Sequence, residues 1–351
     1  MFDLPTKAKA AVLERVGAPL AIKTIDLPPL DRGQVLVKVH YSGVCRSQLM
    51  EVQGGRGQDR WVPHLLGHEG SGIVLDTGIG VSKVQAGDEV ILGWIKSAGL
   101  EAAGARYRCD DQLVNSGKVT TFSNYTVVSE SRLVRKPQAL SLKEAVLFGC
   151  ALPTGCGMVF NEAKPDPETN VAVLGLGGVG LSALMALKTF SLKCLIAIDL
   201  SDIKLALARE MGATHTCNPS RDDVAAIVRQ VTDGGVDLCI ESCGSVETIE
   251  FGFSIIKCFG GRLLFASHPA DGETIRLAPF DLISGKQISG SWGGASIPDS
   301  DIPATFARLR DSNIPLECLV KKEYKLEQVN DALDDLGSGR AFRPIVKMEH
   351  D

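Results

Sequence analysis

Three side chains far apart in this chain of 351 residues make a donor set suited to a zinc ion: Cys45 in GVCRS, His68 in LLGHEG and Cys150 in FGCALPTG. Two thiolates and one imidazole, with no fourth protein ligand, leave one coordination position open. An open position is what separates a catalytic zinc from a structural one. Each residue also has a plainer use: Cys45 as a core thiol, His68 as a satisfied buried histidine, Cys150 as a packing residue of a helix. What favours the chemical use is the company. Twenty-five residues after Cys150 comes GLGGVG, residues 175–180, so a Lewis acid and a hydride carrier are specified by one chain.

A glycine-rich turn alone is a weak signal. Here Gly175, Gly177 and Gly180 lie between an apolar strand, NVAVL, and an apolar helix, GVGLSALMALKTF, the setting that turns the pattern into a dinucleotide fingerprint. The first glycine makes the tight turn, the second admits the pyrophosphate close to the backbone, and the third lets helix pack on strand. Gly178 and Val179 open the helix, whose N-terminus meets the phosphate charge. Asp199, at the end of the next strand (IAIDL), stands where a carboxylate accepts hydrogen bonds from the adenosine ribose and repels a 2′-phosphate, which selects NAD over NADP. Its alternative is to cap the helix SDIKLALA. Lys204 either flanks the same ribose or is a solvated surface lysine.

The elements that must position these residues fall into two groups. Over the first 150 residues, KAAVLE (8–14), QVLVKVHYSG (34–43), SGIVLDTG (71–78), DEVILGW (88–94) and FSNYTVV (122–128) read as short strands cut by Gly, Asp and Pro. SLKEAVLFGCALPTGCGMVF (141–160) reads as helical. From Asn170, strands and helices alternate as in a doubly wound parallel sheet. The alternation gives way at KQISGSWGG (286–294), after which two helices near 301–311 and 326–337 and a last strand, RPIVKM, follow. The expected fold is α/β: a β-rich domain formed by residues 1–152 and 293–351, and a Rossmann domain over 153–292.

Composition sets limits. The chain is 44% apolar and 23% charged with a net charge of −5, so nothing calls for nucleic acid or an anionic membrane as partner. No apolar run approaches the ~20 residues that span a bilayer, and MFDLPTKAKA lacks the apolar core of a signal peptide. Of the ten cysteines, Cys156, Cys194, Cys217, Cys239, Cys243, Cys258 and Cys318 sit singly in apolar or small-residue settings, where packing is the expected role. Reduced thiols fit a cytoplasmic protein.

YSGVCRS (41–47), LLGHEGSGIV (65–74), AGDEVI (86–91), FSNYTVV (122–128), FGCALPTG (148–155), GLGGVG, EMGATHTCNP (210–219), GVDLCIES (235–242) and SGRAFRPIV (338–346) together resemble the zinc-dependent medium-chain alcohol dehydrogenases, nearly end to end. The resemblance implies a GroES-like catalytic domain beside the Rossmann domain, and hydride transfer between an alcohol and NAD. It implies that Cys45, His68 and Cys150 bind the catalytic zinc, with Glu69 behind it or as a transient ligand. Ser47 then passes the alcohol proton outward, Arg46 and Arg343 grip the pyrophosphate, Thr154 lies at the nicotinamide edge, and Trp94 is an aromatic wall of the substrate pocket. It also implies a homodimer or homotetramer, with residues 286–294 able to supply a pairing edge.

The chain departs from that family twice. Many members hold a second, structural zinc with four close cysteines, whereas residues 94–122 contain only Cys109. One thiol cannot close a tetrahedral site, so one zinc per subunit is expected. After Cys-Arg-Ser, relatives often have an acid and, two positions later, a histidine that ends the proton relay; here Gln48 and Met50 stand there. Gln48 can orient the zinc-bound histidine only as a neutral acceptor, and Met50 cannot carry a proton. His64 is expected to be structural and His268 to belong to a surface loop. The rival readings are a polyol, sugar or other specialised alcohol dehydrogenase and, in another class, a non-catalytic dinucleotide-binding protein.

Overall fold

The computed structural model describes residues 4–350, which cluster into two compact units. One runs to Cys150 and takes back Ile297–Phe306 and the chain from Pro315. The other is Ala151–Ser296 together with Ala307–Ile314.

The first unit is all short strands with few helices. Lys7–Leu13, Ala21–Asp26, Arg106–Cys109, Gln112–Asn115 and His64–Leu65 close into a barrel. A second, seven-stranded sheet is built on Gln34–Gly43, which pairs antiparallel with Glu69–Thr77, with Tyr125–Ser129 and with the C-terminal strand Ile345–Lys347. One strand serves three partners because Tyr125–Ser129 takes its first half, Gln34–Lys38, and Ile345–Lys347 its end, Tyr41–Gly43, while its register against Glu69–Thr77 shifts twice, between Leu36 and Val37 and between Val39 and Tyr41, irregularities that bend a strand. The apolar faces bury in separate clusters, one around Ala11, Leu13, Val39 and Phe122 and one around Val35, Val37, Val90 and Leu133.

The strands expected at 8–14, 34–43, 71–78, 88–94 and 122–128 are present within a few residues. Unexpected is a hairpin inside the cysteine-poor segment 94–122. It pairs Arg106–Cys109 with Gln112–Asn115 and turns at Asp110, whose φ is +52°. The segment is tied down by carboxylates. Glu101 is shared by Lys96 (2.6 Å), Lys118 (2.5 Å) and Arg132 (2.9 Å). Glu130, fully buried, accepts backbone N–H bonds from Ser82 (2.7 Å), Lys83 (2.6 Å) and Leu100 (2.5 Å).

In the second unit all six strands are parallel, in the order His215–Cys217, Cys194–Ile198, Asn170–Leu174, Leu238–Glu241, Arg262–Phe265, Gln287–Gly290. NVAVL and CLIAI are buried at every residue, as unbroken apolar strands must be when helices cover both faces of a sheet. The chain reverses direction of travel at Asn170–Leu174, which has Cys194–Ile198 on one side and Leu238–Glu241 on the other. That is the switch point where open α/β sheets bind ligands.

The stretch 141–160 is helical as expected, with a break: Leu142–Ala145 and a 3₁₀ turn, Val146–Gly149, end at Cys150, and a new helix, Ala151–Gly157, passes into a π-helical turn, Met158–Ala163. One expectation needs correction. Of the seven cysteines assigned to packing, Cys258 is exposed; Cys156, Cys194, Cys217 and Cys239 are buried. Among the described residues no single helix is long and apolar enough to cross a membrane.

Candidate metal centre and dinucleotide turn

Register brings the first two members of the trio together. Ser42 pairs with Gly70 across the antiparallel strands Gln34–Gly43 and Glu69–Thr77, so the end of one lies beside the start of the other. Cys45 follows the first strand and His68 precedes the second. Cys45 takes an extended conformation (φ −109°, ψ 151°) as the residue that starts the helix Arg46–Val52. Cys150 arrives from the break between helices, where its φ of −152° and ψ of −71° are non-helical. Gly149 permits this approach: a Cβ there would sit 2.4 Å from the Leu92 carbonyl oxygen and 2.7 Å from the Glu69 Cα.

The ligand atoms of Cys45, His68 and Cys150 lie within 4.8 Å of one another. The His68 Nε2 is buried without a hydrogen-bond partner. A hydrogen bond from Cys150, helped by the Arg343 cation, holds Cys45 well below an ordinary thiol, and the same bond together with burial pushes Cys150 well above. Two sulfurs and an orphaned imidazole nitrogen fit zinc.

Around the trio, Gln48 meets His68 through its amide nitrogen and the His68 Nδ1, while its Oε1 accepts the Cys45 N–H (2.9 Å). This corrects the expectation that Gln48 serves His68 as an acceptor, since the atom facing the His68 Nδ1 is the amide nitrogen, a donor. Glu69 and Arg343 are both buried and ion-paired through Oε2 and Nη2, which leaves the Glu69 Oε1 and the Arg343 Nε without partners. Burial raises the Glu69 carboxyl and the Arg343 cation opposes that rise. The Ser47 hydroxyl is buried and unpartnered. Trp94 follows Gly93, which pairs with Glu69, and its N–H reaches the Gly149 carbonyl (3.3 Å). Arg46 and Met50 line a hollow of ≈ 310 Å³ with Leu49, Gln53, Leu333, Asp334 and Gly337. Sequence reasoning missed Arg343 as the partner of Glu69, a contact 274 residues apart that no local pattern announces.

In the second unit, the glycine turn leaves the central strand with Gly175 at φ +85°. A Cβ on Gly180 would sit 1.9 Å from the Gly175 carbonyl oxygen, so only glycine lets the helix Gly178–Leu187 pack so close; a Cβ on Gly177 would meet nothing within 4 Å. Asp199 ties two turns together, accepting from the Leu176 N–H (2.7 Å) and the Ser201 N–H (2.8 Å), with Lys204 3.6 Å away. It does not cap the helix Asp202–Glu210, which starts at Ser201. Thr154 is buried in the helix Ala151–Gly157. His268 is exposed in the loop after Arg262–Phe265, with its Nδ1 beside the Pro269 carbonyl (2.9 Å). His64, in the first unit, is buried beside Asp59.

A zinc-type donor cluster in a GroES-like unit and a dinucleotide turn at the switch point of a parallel sheet define a dehydrogenase of the two-domain kind. Comparison with known proteins agrees. Residues 31–138 match the family model described as alcohol dehydrogenase GroES-like domain, and residues 178–311 match zinc-binding dehydrogenase. The chain is 31% identical to an S-(hydroxymethyl)glutathione dehydrogenase of Synechocystis sp., over 97% of this chain and 99% of that one. Benzyl alcohol dehydrogenase from Acinetobacter calcoaceticus superposes with a TM-score of 0.89 at 29% identity, covering 98% of this chain and 100% of that one. An alcohol dehydrogenase zinc-binding domain protein from Burkholderia ambifaria gives a TM-score of 0.89 at 29% identity, covering 98% and 99%. The chain belongs to the zinc-dependent medium-chain alcohol dehydrogenases. It is an oxidoreductase that transfers hydride between an alcohol, or its carbonyl product, and NAD.

Proposed function

We propose that the chain oxidises a primary or secondary alcohol to its aldehyde or ketone, and catalyses the reverse, with a single zinc per chain held by Cys45, His68 and Cys150. The observation that carries this reading is the buried, unpartnered His68 Nε2 with two thiols around it. Bound there, zinc supplies a Lewis acid that polarises the alcohol or carbonyl oxygen. Glu69 lies behind, its unpartnered Oε1 available as a transient ligand and its charge balanced by Arg343. Ser47 takes the hydroxyl proton, a role its buried and unpartnered Oγ suits. The proton then leaves through the ribose hydroxyl and water, because Met50 offers no base. Trp94 walls the substrate. Arg46 and Arg343 meet the pyrophosphate, with Gly175, Gly177, Gly178, Val179 and Gly180 forming its turn. Thr154 faces the nicotinamide, and Asp199, flanked by Lys204, selects NAD. Residues 1–152 with 293–351 are the catalytic domain and 153–292 the nucleotide domain. The enzyme acts in the cytoplasm on a small molecule, as a homodimer or homotetramer.

Three measurements test this. Elemental analysis after dialysis is expected to find one zinc per chain, and two tightly held zincs would overturn the single-site reading. Removing that zinc, or replacing Cys45 by Ala, is expected to abolish NADH formation while NADH binding persists. A steady-state screen decides the substrate class: benzyl alcohol and simple aliphatic alcohols are expected to be turned over in preference to polyols.

A further inference from the structure

Glu51, Asp59 and His64 form a second cluster in the first unit, and the reaction makes no use of it. Their ligand atoms also lie within 4.8 Å of one another. They come from three different elements. Glu51 is near the C-terminal end of the helix Arg46–Val52, Asp59 is in the loop that follows, and His64 starts the barrel strand His64–Leu65. Each is held. His64 pairs with Leu13 and Asn115 in the barrel, the Asp59 Oδ1 accepts the Trp61 N–H (2.8 Å), and the Asn115 side chain donates to the Trp61 carbonyl (2.8 Å).

The polar atoms in this cluster balance only with a positive charge between them, either a second proton on His64 or a metal ion. The His64 Nδ1 faces the Leu65 carbonyl oxygen at 3.0 Å, and the Nε2 faces the Asp59 Oδ2 at 2.7 Å. Both neighbours are acceptors only. A neutral imidazole has one N–H, so either tautomer leaves a lone pair against an oxygen. With the proton on Nδ1, donated to the carbonyl, the ring is oriented as metal-bound histidines usually are. The Nε2 lone pair, the Asp59 Oδ2 and, 4.0 Å from Nε2, the Glu51 Oε1 then converge. An imidazolium meets the carbonyl and Asp59 but leaves the Glu51 Oε1 4.0 Å away, whereas a divalent ion on Nε2 meets both carboxylates. The nearby cation, Arg56, takes the other oxygen of Glu51 at 3.5 Å and leaves Oε1 free for this role. The His64 side chain is 8% exposed, and those of Asp59 and Glu51 are 16% and 25% exposed, so the site is walled on the imidazole side and open to water on the carboxylate side.

We infer that Glu51, Asp59 and His64 bind a divalent first-row transition-metal ion, with water completing the shell, and that the ion clips the end of the helix beginning at Cys45 to the barrel. One imidazole and two carboxylates without a thiolate make a weaker and harder site than the cysteine–histidine–cysteine trio, so dialysis empties it and the tightly bound zinc count stays at one.

Manganese(II) is the probe, because it binds thiolate sites poorly and does not displace their zinc. Dialysed, zinc-loaded full-length protein is titrated with MnCl2, and free ion is counted by its electron paramagnetic resonance signal. One bound Mn²⁺ per chain is expected. Asp59→Asn, and independently Glu51→Gln at the solvent side, are each expected to weaken binding by about tenfold or more while zinc content and the unfolding midpoint without manganese stay at wild-type values. No manganese bound by wild-type protein means that a proton alone bridges the cluster, which overturns the proposal. Unchanged affinity in both variants overturns it equally, since the ion then sits elsewhere.

Discussion

Gln48 has one acceptor atom, and the Cys45 N–H occupies it. The amide nitrogen faces the His68 Nδ1, and a donor at that point favours the tautomer with its proton on Nε2, the nitrogen that would bind the proposed zinc. A carboxylate in the same place accepts from both the Cys45 N–H and the His68 Nδ1–H and raises the basicity of the ligand. Gln48→Asp is expected to slow zinc loss to a chelator by about tenfold, read as the release half-life with a chromogenic chelator; an unchanged half-life would show that the amide does not limit metal retention. Two positions on, Met50 lines the hollow beside Arg46, and the group there with a titratable acid is Asp334. Met50→His supplies a base at the outer end of the proton path. Turnover of alcohol oxidation is expected to rise below neutral pH, where proton departure is slowest. An unaltered pH profile would mean that the path through ribose and water is already sufficient.

At the scale of the element, the segment 94–122 is tied down by carboxylates. Glu130 closes three backbone N–H groups from two different turns. Its removal leaves those donors buried and unmatched, at about 1–3 kcal/mol for such a group. Glu130→Ala is expected to lower stability by about 3 kcal/mol or more, measured by urea unfolding, and Glu130→Gln by less because one acceptor oxygen remains. These three bonds outweigh burial and hold the Glu130 carboxyl below its usual range. Glu101 differs in being open to solvent. Hydrogen bonds from Lys118 and Lys96 bring its pKa from 4.5 to about 2. A carboxyl whose folded pKa is depressed contributes stability that is complete above the unfolded value and is lost as pH falls toward the folded one. Proteolytic nicking within residues 94–122 by an acid-active protease is thus expected to rise between about pH 4.5 and 2 in wild-type protein. In Glu101→Gln it is expected to be high already at pH 5 and to change little on further acidification. Pepsin digestion followed by mass mapping of the cut sites distinguishes the two.

Over the whole molecule, what could be read from sequence was what repeats or clusters locally. The alternation from Asn170 onward, the turn at 175–180 and the strand that leads into Cys45 all carry periodicity or glycine spacing, and each lies where it was expected. The hairpin at 106–115 did not show, because four-residue strands are too short for a period and Asp110–Asp111 reads only as polar loop. Nor did the Glu69–Arg343 pair or the clamp at Glu130, since contacts between distant charges leave no mark on either neighbourhood. Oligomeric state lies between these cases. Among the described residues, Gln287–Gly290 is the last strand of its sheet and pairs only with Arg262–Phe265. The N–H groups of Gln287 and Ser291 donate inward to Gly261 and Phe265, so alternate residues turn theirs outward along an open edge. Near that edge in the chain, Phe280 is 76%, Ile283 79% and Trp292 81% exposed. An unprotected edge flanked by large apolar side chains invites a second copy, and two-fold symmetry lets the same strand meet itself antiparallel. Ile283→Glu places a charge beside its own symmetry mate without touching the core. Sedimentation equilibrium is expected to show the wild type as a dimer or tetramer and this variant as a species of half that mass with an unchanged circular dichroism spectrum. If the variant keeps the wild-type mass, pairing uses another face and the edge strand is ruled out as the interface.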